Sequence, residues 1–597
     1  MIPTPSAHVD TFARDHLPPP DQWPVLLLDD PALDYPAHLN CGAELLDRTI
    51  ERLGADRPVF HSGGLTAPGR ETPDGERPAA PAPRRTWSYG ELRSTVDRLA
   101  HVLTDEMGVV PGNRVLLRGP TSPELAACWL AVMKAGAVAV TVLAAHRAGE
   151  LATICRLARI SHALCDARAA DELARAAIPG LRTGLFDVGG GPQVTSGATH
   201  TRPEAGGDQD DILRLAATKP DRFEAVATAA DDVALIAFTS GTTGKPKGCA
   251  HFHRDVLAIA DTFAARVLRP HADDVFAGTP ALGFTFGLGG LVVFPLRVGA
   301  SALLEQWSGA AGTLEAIAAH RVSVLFTAPT AYRAMLALLG NPGPAPYDLS
   351  SLRRCVSAGE HLPAATWESW YARTGLRIID GIGATELLHI FISAADEAIR
   401  PGRTGVPVPG YRARIVTQDA EGALVPVPDG TPGLLAVRGP VGCRYLADER
   451  QRSYVRDGWN LTGDTYVRDT EGYFRFVARA DDMIISAGYN ISGPEVEEVL
   501  LRHPDVCEVA VVGAPDEHRG QLVVAHVVPA PGVPSDSGTA ERLRRFAKAE
   551  LAPYKCPRRF VFTTALPRTP TGKLQRYRLR EQRPEREPGG GASGQQP

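Results

Sequence analysis

The sequence predicts an α/β protein with a large N-terminal domain of βα-built sheets, a small antiparallel β subdomain and a small α+β C-terminal domain. Apolar strand-like segments alternate with helical segments over most of the chain up to Pro401, which is typical of parallel sheets with crossover helices. After Pro401, short apolar stretches separated by Gly, Pro and Asp predict antiparallel strands. A mixed pattern begins near Arg479, and 597 residues are too many for one core.

The first elements can be placed in chain order. Residues 41–54 have the apolar spacing of one amphipathic helix. A Gly- and Pro-rich run from about Ser62 to Arg85 predicts a long surface loop, and Ser88 then caps a helix of roughly four turns. Strand and helix patterns alternate up to residue 187. The polar segment from about Gly189 to Thr228 predicts a second surface excursion or a loop before the core resumes.

The composition excludes several classes of protein. A hydrophobic fraction of 44% and a charged fraction of 22% indicate a soluble globular protein, and the net charge of −5 argues against nucleic acid or an anionic membrane as a partner. The nine cysteines include no C-x-x-C pair, which favours a reducing cytoplasm over a disulfide framework or a zinc site. The sequence supports neither a secretion signal nor a membrane span.

A polar loop follows the apolar run Val233 to Phe238, and we expect a helix from about Arg254. Residues 239–248 contain four hydroxyl side chains, three glycines and two lysines. Glycines let the backbone approach an anion, while hydroxyls and lysines add donors and charge, so this composition fits a triphosphate. The spacing is not that of a Walker A loop, because only two residues separate the first two glycines. The alternative is a flexible connector.

This loop, TSGTTGKPKG, resembles the signature T-S-G-T-T-G-x-P-K-G of the adenylate-forming superfamily of acyl- and aryl-CoA synthetases, adenylation domains and luciferases. The resemblance implies an adenylation domain over residues 1–478 and a mobile C-terminal domain over 479–582, and the composition of residues 583–597 predicts a disordered tail. ATP contacts are then expected from Thr239, Ser240, Gly241, Thr242, Thr243, Gly244, Lys245 and Lys247.

A second motif, DGIGATE, follows an apolar strand and ends at Glu386. Ligands bind at strand ends in α/β sheets, where a hydroxyl and a carboxylate can contact a phosphate and its Mg²⁺, although an ordinary turn has the same composition. The resemblance assigns Thr385 and Glu386 to the α-phosphate and Glu386 to Mg²⁺. Most superfamily members have Tyr where this chain has Ile382. The residues expected at the adenine are Gly359, Glu360, Asp380 and Gly381.

Further assignments follow the resemblance toward the C-terminus. Asp464, in the sequence TGD, can accept both ribose hydroxyls, and Arg479 completes the ribose contact. Asp481 is the expected hinge of the mobile domain. Lys573, in P-x-T-x-x-G-K, is expected to bridge the substrate carboxylate and the α-phosphate, since a mobile cation offsets the repulsion between two anions. The residues expected to line the CoA tunnel are Ser486, Ala487, Gly488 and Tyr489.

The acid is inferred from three segments, FTFGLGG, TAPTAY and ATELLHIF, which resemble those of benzoate-CoA and 2-aminobenzoate-CoA ligases. In the first of them, alternating aromatics and glycines fit a flat pocket wall, and the alternative is a packed Gly-rich strand and turn. His389 is expected where the substrate carboxylate meets the α-phosphate and is assigned a catalytic role. The expected acyl pocket comprises Thr285, Phe286, Ala328, His389 and Ile390.

The implied activity is that of an ATP-dependent aryl-CoA ligase using ATP, Mg²⁺ and CoA. An aromatic acid is first converted to an acyl-adenylate, and a thiol then displaces AMP. One alternative is an enzyme that loads the aryl group onto a carrier protein, and another is a nucleotide-binding regulator without catalysis. The sequence leaves the ring substituents, the pathway and the oligomeric state open, a homodimer included.

Overall fold

A computed structural model of the chain describes residues 5–65, 83–187, 211–240, 246–307, 309–340, 347–479, 482–486, 489–516, 519–569 and 574–581. The chain divides into two compact units, Met1–Phe476 and Val477–Pro597. Several predictions concern residues outside the described part, namely most of the loop 62–85, part of the segment 189–228, the tail 583–597, and Gly241, Thr242, Thr243, Gly244, Lys245, Asp481, Ala487, Gly488 and Lys573.

The strands of the first unit follow one another along the chain from residue 58 to residue 479. They are β1 Pro58–Ser62, β2 Arg85–Ser88, β3 Arg114–Gly119, β4 Val138–Leu143, β5 His162–Asp166, β6 Arg182–Phe186, β7 Val233–Ser240, β8 Pro246–Phe252, β9 Val275–Gly278, β10 Ser301–Leu303, β11 Val324–Thr327, β12 Arg354–Ser357, β13 Ile378–Gly383, β14 Ile390–Ser393, β15 Val406–Pro407, β16 Arg412–Gln418, β17 Leu424–Pro426, β18 Gly433–Arg438, β19 Val455–Arg456, β20 Trp459–Arg468 and β21 Phe474–Arg479, the last of which runs through the division between the units.

Helices cover these sheets. The α-helices are α1 Phe12–Asp15, α2 Cys41–Leu53, α3 Tyr89–His101, α4 Pro123–Lys134, α5 Ala148–Leu157, α6 Ala170–Arg175, α7 Ile212–Ala216, α8 His253–Ile259, α9 Thr285–Leu288, α10 Phe294–Val298, α11 Gly309–His320, α12 Pro329–Leu339, α13 Ala364–Thr374 and α14 Gln451–Tyr454. π-Helical segments are Val102–Glu106, Ala260–Leu268 and Gly289–Val293, and 3₁₀ turns are Pro20–Gln22, Pro31–Leu33, Ala167–Ala169, Thr385–Leu387 and Asp396–Ala398. None of the helices in the described residues is long and apolar enough to cross a bilayer.

Three sheets organise the first unit. One has the order β6-β5-β3-β4-β7-β8 and is parallel except for the β7–β8 hairpin. A second, of nine strands, has the order β15-β14-β13-β12-β11-β9-β10-β1-β2, with a parallel centre and antiparallel edges. The third, β17-β16-β18-β20-β19, is antiparallel. The predicted α/β class and the antiparallel subdomain are therefore confirmed.

Helices α3 and α4 show sequence signals that match their observed capping and burial. The Ser88 side chain accepts from the backbone N–H of Glu91, whose own carboxylate accepts from the Ser88 N–H, so both orphan donors at the start of α3 are satisfied. Helix α4 is apolar on all sides and, Glu124 apart, is buried along its length. Such a helix belongs inside a core rather than on its surface, and it contacts α2 and α3.

The second unit is described by itself. It contains the β22 Ile484–Ser486 and β23 Tyr489–Ile491 hairpin, a sheet of β24 Val506–Asp516, β25 Gly520–Pro529 and β26 Arg559–Phe562, and helices α15 Gly493–Leu500, α16 Ser537–Glu550 and α17 Arg576–Glu581. Strands β24 and β25 are antiparallel, whereas β25 and β26 are parallel. This is the mixed α+β pattern that the sequence predicts.

Two local predictions were wrong in part. The loop expected over residues 239–248 is shorter, because its first two residues extend β7 and its last three begin β8. The helix expected from about Arg254 is confirmed as α8, which begins one residue earlier. The Gly-rich segment at 285–290 is helical, so the alternative of a packed strand and turn is wrong for it, whereas its role as a pocket wall stays a prediction. Its glycines serve close packing, since a Cβ at Gly290 would lie 2.7 Å from the Phe326 ring.

Candidate active site

The predicted phosphate loop is bracketed by two paired strands. In the β7–β8 hairpin, Thr239 is opposite Lys247 and Ser240 is opposite Pro246. The five residues that join the strands, 241–245, lie outside the described part. The pairing nevertheless fixes where the loop begins and ends, and it places Lys247 at the start of β8.

Lys247, Tyr445 and Glu386 form a connected polar cluster, although only Lys247 and Glu386 were predicted from the sequence. The Lys247 ammonium donates to the Tyr445 hydroxyl over 2.9 Å, and that hydroxyl donates to Glu386 Oε1. Lys247 Nζ is 4.0 Å from the same carboxylate oxygen. Burial and then the charge of Glu386 raise the pKa of Tyr445 well above its ordinary value, so this hydroxyl keeps its proton and remains a donor.

A second buried chain supports the adjacent Thr385. The ring Nε2 of His251 lies 2.8 Å from the Thr385 carbonyl oxygen and donates to it, because a carbonyl can only accept. Asp255 Oδ2 lies 3.9 Å from the other ring nitrogen, and Arg444 donates to the same oxygen over 2.9 Å. His251, Asp255 and Arg444 have no exposed surface. The Thr385–Glu386 turn is thus supported on both its backbone and its carboxylate.

His389 lies in a different environment. It is 3% exposed, and neither ring nitrogen forms a hydrogen bond of normal geometry within the described residues. Burial lowers its pKa to about 3, against a smaller opposing contribution from the Phe286 backbone, so the imidazole is neutral. The surrounding rings, with their centroid distances to His389, are Phe294 at 4.6 Å, Phe263 and Phe286 at 5.5 Å and Phe326 at 6.3 Å.

The backbone on both sides of His389 is shaped for this pocket. A Cβ at Gly289 would lie 2.4 Å from His389 Cδ2, so only glycine lets the helix pass so close to the ring. Leu388 has a φ of 66°, which is strained for a branched side chain. This residue reverses the chain between Glu386 and His389. Strain of this kind persists where the surrounding structure enforces it, and it is concentrated at functional sites.

The remaining residues of the predicted acyl pocket occupy three elements. Thr285 and Phe286 are buried in the first turn of α9, and Ala328 is half-buried at the N-terminal cap of α12. Ile390 is buried at the start of β14, where its side chain fills the space above the Gly381 backbone. All of these elements belong to the first unit.

The predicted adenine side contains Asp380, which is half-buried overall but whose Oδ1 is shielded from solvent. Burial raises the pKa of Asp380 well above its ordinary value, despite weaker opposing hydrogen bonds from the Gly381 backbone and the Ser357 hydroxyl. A carboxyl group that retains its proton offers one donor and one acceptor, which is the pattern of a purine edge. Gly359 has a φ of 91°, and the neighbouring Glu360 accepts from Thr330 over 2.5 Å. These features are compatible with an adenine contact.

Of the two predicted ribose residues, Asp464 belongs to the first unit and Arg479 to the second, which also contains the predicted CoA residues. Asp464 is half-buried in β20 of the first unit, where its N–H donates to Thr462 Oγ1 over 3.2 Å. Arg479 is exposed at the end of β21. In the second unit, Ser486 is buried, whereas Tyr489 is exposed and stacks on Tyr554 with ring centroids 4.4 Å apart.

The sequence reasoning missed Tyr445, His251, Asp255 and Arg444. A weak signal for two of them was present, because the segment from His251 to Asp255 places a ring and a carboxylate four residues apart. Nothing local marks Arg444 or Tyr445, which reach Asp255 and Glu386 from a segment distant in sequence. The backbone of this segment pairs with β8, where the Ala250 N–H donates to the Arg444 carbonyl over 2.8 Å.

The residues present are compatible with a bound Mg²⁺. Proteins usually hold this ion through one or two carboxylates, with phosphate oxygens and waters completing the octahedron. Both contacts to Glu386 engage Oε1, which leaves Oε2 as a ligand. Such a site needs no cluster of protein ligands, and the described residues contain no group of three or more His, Cys, Asp or Glu suited to a metal.

Comparison with known proteins adds independent evidence. The model of the AMP-binding enzyme family matches residues 68–445, and that of the AMP-binding enzyme C-terminal domain matches residues 495–573. Benzoate–CoA ligase from Thauera aromatica is 34% identical over 498 residues, which cover 83% of this chain and 90% of that protein. Anthranilate–CoA ligase from Pseudomonas aeruginosa is 34% identical over 481 residues, covering 79% and 87%.

Two solved structures are similar to most of the chain. The anthranilate CoA ligase AuaEII, in complex with anthranoyl-AMP, has a TM-score of 0.80 and 31% identity, covering 92% of this chain and 98% of that one. The benzoate CoA ligase of Burkholderia xenovorans LB400 has a TM-score of 0.76 at the same identity, covering 91% and 100%. The two sequence motifs, the second of which forms the turn after β13, are in accord with these matches. The chain therefore belongs to the family of AMP-binding enzymes.

Proposed function

We propose that this protein is an ATP-dependent aryl-CoA ligase that activates benzoate or an ortho-substituted benzoate such as 2-aminobenzoate. The observation that carries the proposal is the neutral His389 in its pocket of phenylalanine rings, three residues from Glu386. A flat apolar pocket with one unpaired polar group suits an aromatic ring with a polar substituent. The nearby Glu386 carboxylate suits a contact with Mg²⁺ and the phosphates of ATP.

The first half-reaction forms an acyl-adenylate. A carboxylate oxygen of the acid attacks the α-phosphorus of ATP, the bond to the β-phosphate oxygen breaks, and diphosphate leaves with both electrons of that bond. Glu386 would hold Mg²⁺, which neutralises phosphate charge when it is bound. We assign the α-phosphate contact to Thr385, the neighbour of Glu386, and the approaching cation to Lys573, as the resemblance implies.

The second half-reaction transfers the aryl group. The sulfur of CoA attacks the acyl carbon, the carbon–oxygen bond to AMP breaks, and the thiol proton is released to the solvent or to AMP. This step is productive because AMP is a far better leaving group than the oxide ion of a free carboxylate. Ser486 and Tyr489 in the second unit remain the residues proposed for the pantetheine path, and Asp481 remains the proposed hinge.

His389 has two roles in this proposal. Its neutral ring offers one donor and one acceptor at a buried site, so it can pair with an ortho-amino or ortho-hydroxyl group. Its position next to Glu386 also sets where the substrate carboxylate enters. Thr285, Phe286 and Ala328 supply the remaining walls. Neither role requires His389 to change its protonation state during turnover.

The proposal is tested by incubating the full chain with MgATP, CoA and, separately, benzoate, 2-aminobenzoate, salicylate, phenylacetate and octanoate, with mass spectrometry of the products. We expect aryl-CoA, AMP and diphosphate from the benzoate group. The alternative acceptor is a carrier protein. Acyl-adenylate without any CoA thioester would favour that alternative, and octanoyl-CoA as the main product would contradict the aryl assignment.

A further inference from the structure

We propose that Tyr445 is a positioning residue that holds the Glu386 carboxylate in the orientation needed for the metal–nucleotide complex, with Lys247 as its cationic partner. This inference rests on the proposed function, in which Glu386 contacts the metal. It assigns a role to a tyrosine that belongs to neither of the two sequence motifs.

The direction of each hydrogen bond is fixed by chemistry. An ammonium group can only donate, so Lys247 must donate to the Tyr445 oxygen over 2.9 Å. An ionised carboxylate can only accept, so the one phenolic proton of Tyr445 is directed to Glu386 Oε1. Each hydrogen bond in such a chain polarises the next. Donation from the Lys247 ammonium therefore strengthens the hydrogen bond that the Tyr445 hydroxyl donates to Glu386.

Only one oxygen of the Glu386 carboxylate, Oε1, is contacted by Tyr445 and Lys247. Lys247 Nζ lies 4.0 Å from Oε1, the oxygen that also accepts from Tyr445, while Oε2 is left for a ligand. Glu386 is 8% exposed, so its side chain has little freedom to rotate into solvent. A carboxylate fixed through one oxygen presents the other in a defined direction, which is how outer hydrogen bonds orient a metal ligand.

Tyr445 is itself held from several sides. Its N–H donates to the Gln451 side chain over 2.9 Å, and the next residue, Leu446, donates to the Gly248 carbonyl over 2.8 Å. Its ring contacts the edge of Tyr454, with centroids 5.6 Å apart. The residue has no exposed surface. The Tyr445 hydroxyl is therefore pre-positioned by packing rather than by the carboxylate that it serves.

The same residue connects two parts of the site. Backbone bonds from residues 444–446 pair this segment with β8, the strand that begins beside the predicted phosphate loop. The side chain of Tyr445 then reaches Glu386, in the turn after β13. We therefore expect a change at Tyr445 to make the position of the Glu386 carboxylate relative to β8 less well defined.

A matched control lies beside it. Tyr454 is close to Lys247, with the ammonium 5.9 Å from its ring centroid, and its buried hydroxyl has no hydrogen-bond partner in the described residues. Tyr454→Phe removes one hydroxyl from the same cluster without removing a contact to Glu386. Tyr445→Phe removes a hydroxyl of identical size that does make this contact.

The test measures binding of Mn²⁺ to the full chain in the presence of α,β-methylene-ATP, by electron paramagnetic resonance and without any acid substrate. For Tyr445→Phe we expect the dissociation constant of Mn²⁺ to rise about 10-fold or more, as for other outer partners of metal ligands. Tyr454→Phe should stay within about twofold of the wild type, because it leaves these partners in place. In turnover, Tyr445→Phe should need more Mg²⁺ for half-maximal rate at an unchanged KM for the acid.

Lys247→Met provides a second variant if Tyr445→Phe folds poorly. It keeps the Tyr445 hydroxyl but removes the cation that donates to it. Because Lys247 is also a predicted ATP contact, the affinity for α,β-methylene-ATP alone is measured beside it, and we expect the loss of Mn²⁺ affinity to exceed the loss of nucleotide affinity. Equal Mn²⁺ affinity in Tyr445→Phe, Tyr454→Phe and the wild type would overturn the inference. Failure of the wild type to make aryl-CoA would instead count against the proposed function, since the binding measurement uses neither acid nor CoA.

Discussion

Glu386 and His389 lie three residues apart on the same turn but occupy environments of opposite character. The Glu386 carboxylate accepts from Tyr445 and lies 4.0 Å from the Lys247 ammonium. His389 is surrounded by four phenylalanine rings, and its two nitrogens make no normal hydrogen bond within the described residues. Leu388, with a φ of 66°, lies between them, where the chain turns toward β14.

Glu386 is a charged group that is paired within the protein, whereas His389 is a neutral group whose ring nitrogens are left for a ligand. A charge that must face a metal–phosphate complex is fixed before the ligand arrives, because an unpaired buried charge is costly. A neutral ring can be left unpaired at a smaller cost, and a ligand that pairs with it recovers that cost as affinity and selectivity. We therefore expect changes at Glu386 to affect every acid alike and changes at His389 to affect acids differently.

The largest effect is expected from Glu386→Gln. The amide keeps the shape but removes the charge, and adenylate formation should fall about 10²- to 10³-fold, as for other groups that stabilise transition-state charge. Acid-dependent exchange of diphosphate into ATP measures this step. The matched control is Glu397→Gln, since that side chain is 84% exposed in its pair with Arg377. A loss confined to one acid would contradict the assignment.

His389→Phe should change selectivity more than rate. The pocket stays aromatic, but an ortho-amino group loses its partner, so kcat/KM for 2-aminobenzoate should fall about 10-fold relative to benzoate. Competition between the two acids, followed by the ratio of their CoA thioesters, measures this directly. His271→Phe, at an exposed histidine, is the control. An unchanged ratio would remove His389 from substrate selection.

The stability of the first unit should carry a pH signature of His389. Its pKa is lowered to about 3 in the folded chain, below the ordinary value of 6.5, so the unfolded chain binds the proton more readily. The stabilisation is complete above pH 6.5 and is lost as the pH falls toward 3, which amounts to about 2 kcal/mol at pH 5.

Unfolding in urea, followed by tryptophan fluorescence, would measure this loss, because all seven tryptophans lie before residue 476. The wild type should lose about 2 kcal/mol more than His389→Phe between pH 7.5 and pH 5. Parallel pH profiles for the two proteins would show that His389 is not buried as a neutral ring.

The smallest effect is expected from Thr285→Val. The substitution preserves shape at the first residue of α9 and removes one buried hydroxyl. If this hydroxyl contacts an ortho substituent, the ratio of kcat/KM for 2-aminobenzoate and benzoate should shift about fivefold, the value of one neutral hydrogen bond. A ratio of kcat/KM for the two acids that equals the wild-type ratio would exclude Thr285 from selection.

Local patterns made much of the fold and part of the site predictable. Ser88 predicted the start of α3, and the alternation of apolar strand-like segments with helical segments predicted the parallel strands, because both signals can be read from residues close together in the sequence. Strand β8 was missed because its polar and aromatic residues give a weak β pattern until β7 pairs with it. The helix at 285–290 was missed because glycine weakens the helical signal.

The site divides in the same way. Thr385 and Glu386 stand in a contiguous motif, and their position after β13 follows from that motif. Tyr445 is 59 residues away from Glu386 along the chain, and its role depends on backbone pairing with β8. Phe263, in the π-helical segment 260–268, and Phe294, the first residue of α10, both contact the His389 ring. Nothing in the sequence near either residue indicates this contact. Long-range contacts of this kind require the folded structure.

Adenylation of an aromatic carboxylate beside Glu386 and His389 can be measured by acid-dependent exchange of labelled diphosphate into ATP in the absence of CoA. The measurement isolates the first half-reaction and compares benzoate, 2-aminobenzoate and octanoate on one scale. We expect exchange with the two aromatic acids and little with octanoate. Exchange that is fastest with octanoate, or absent with both aromatic acids, would contradict the proposed reaction.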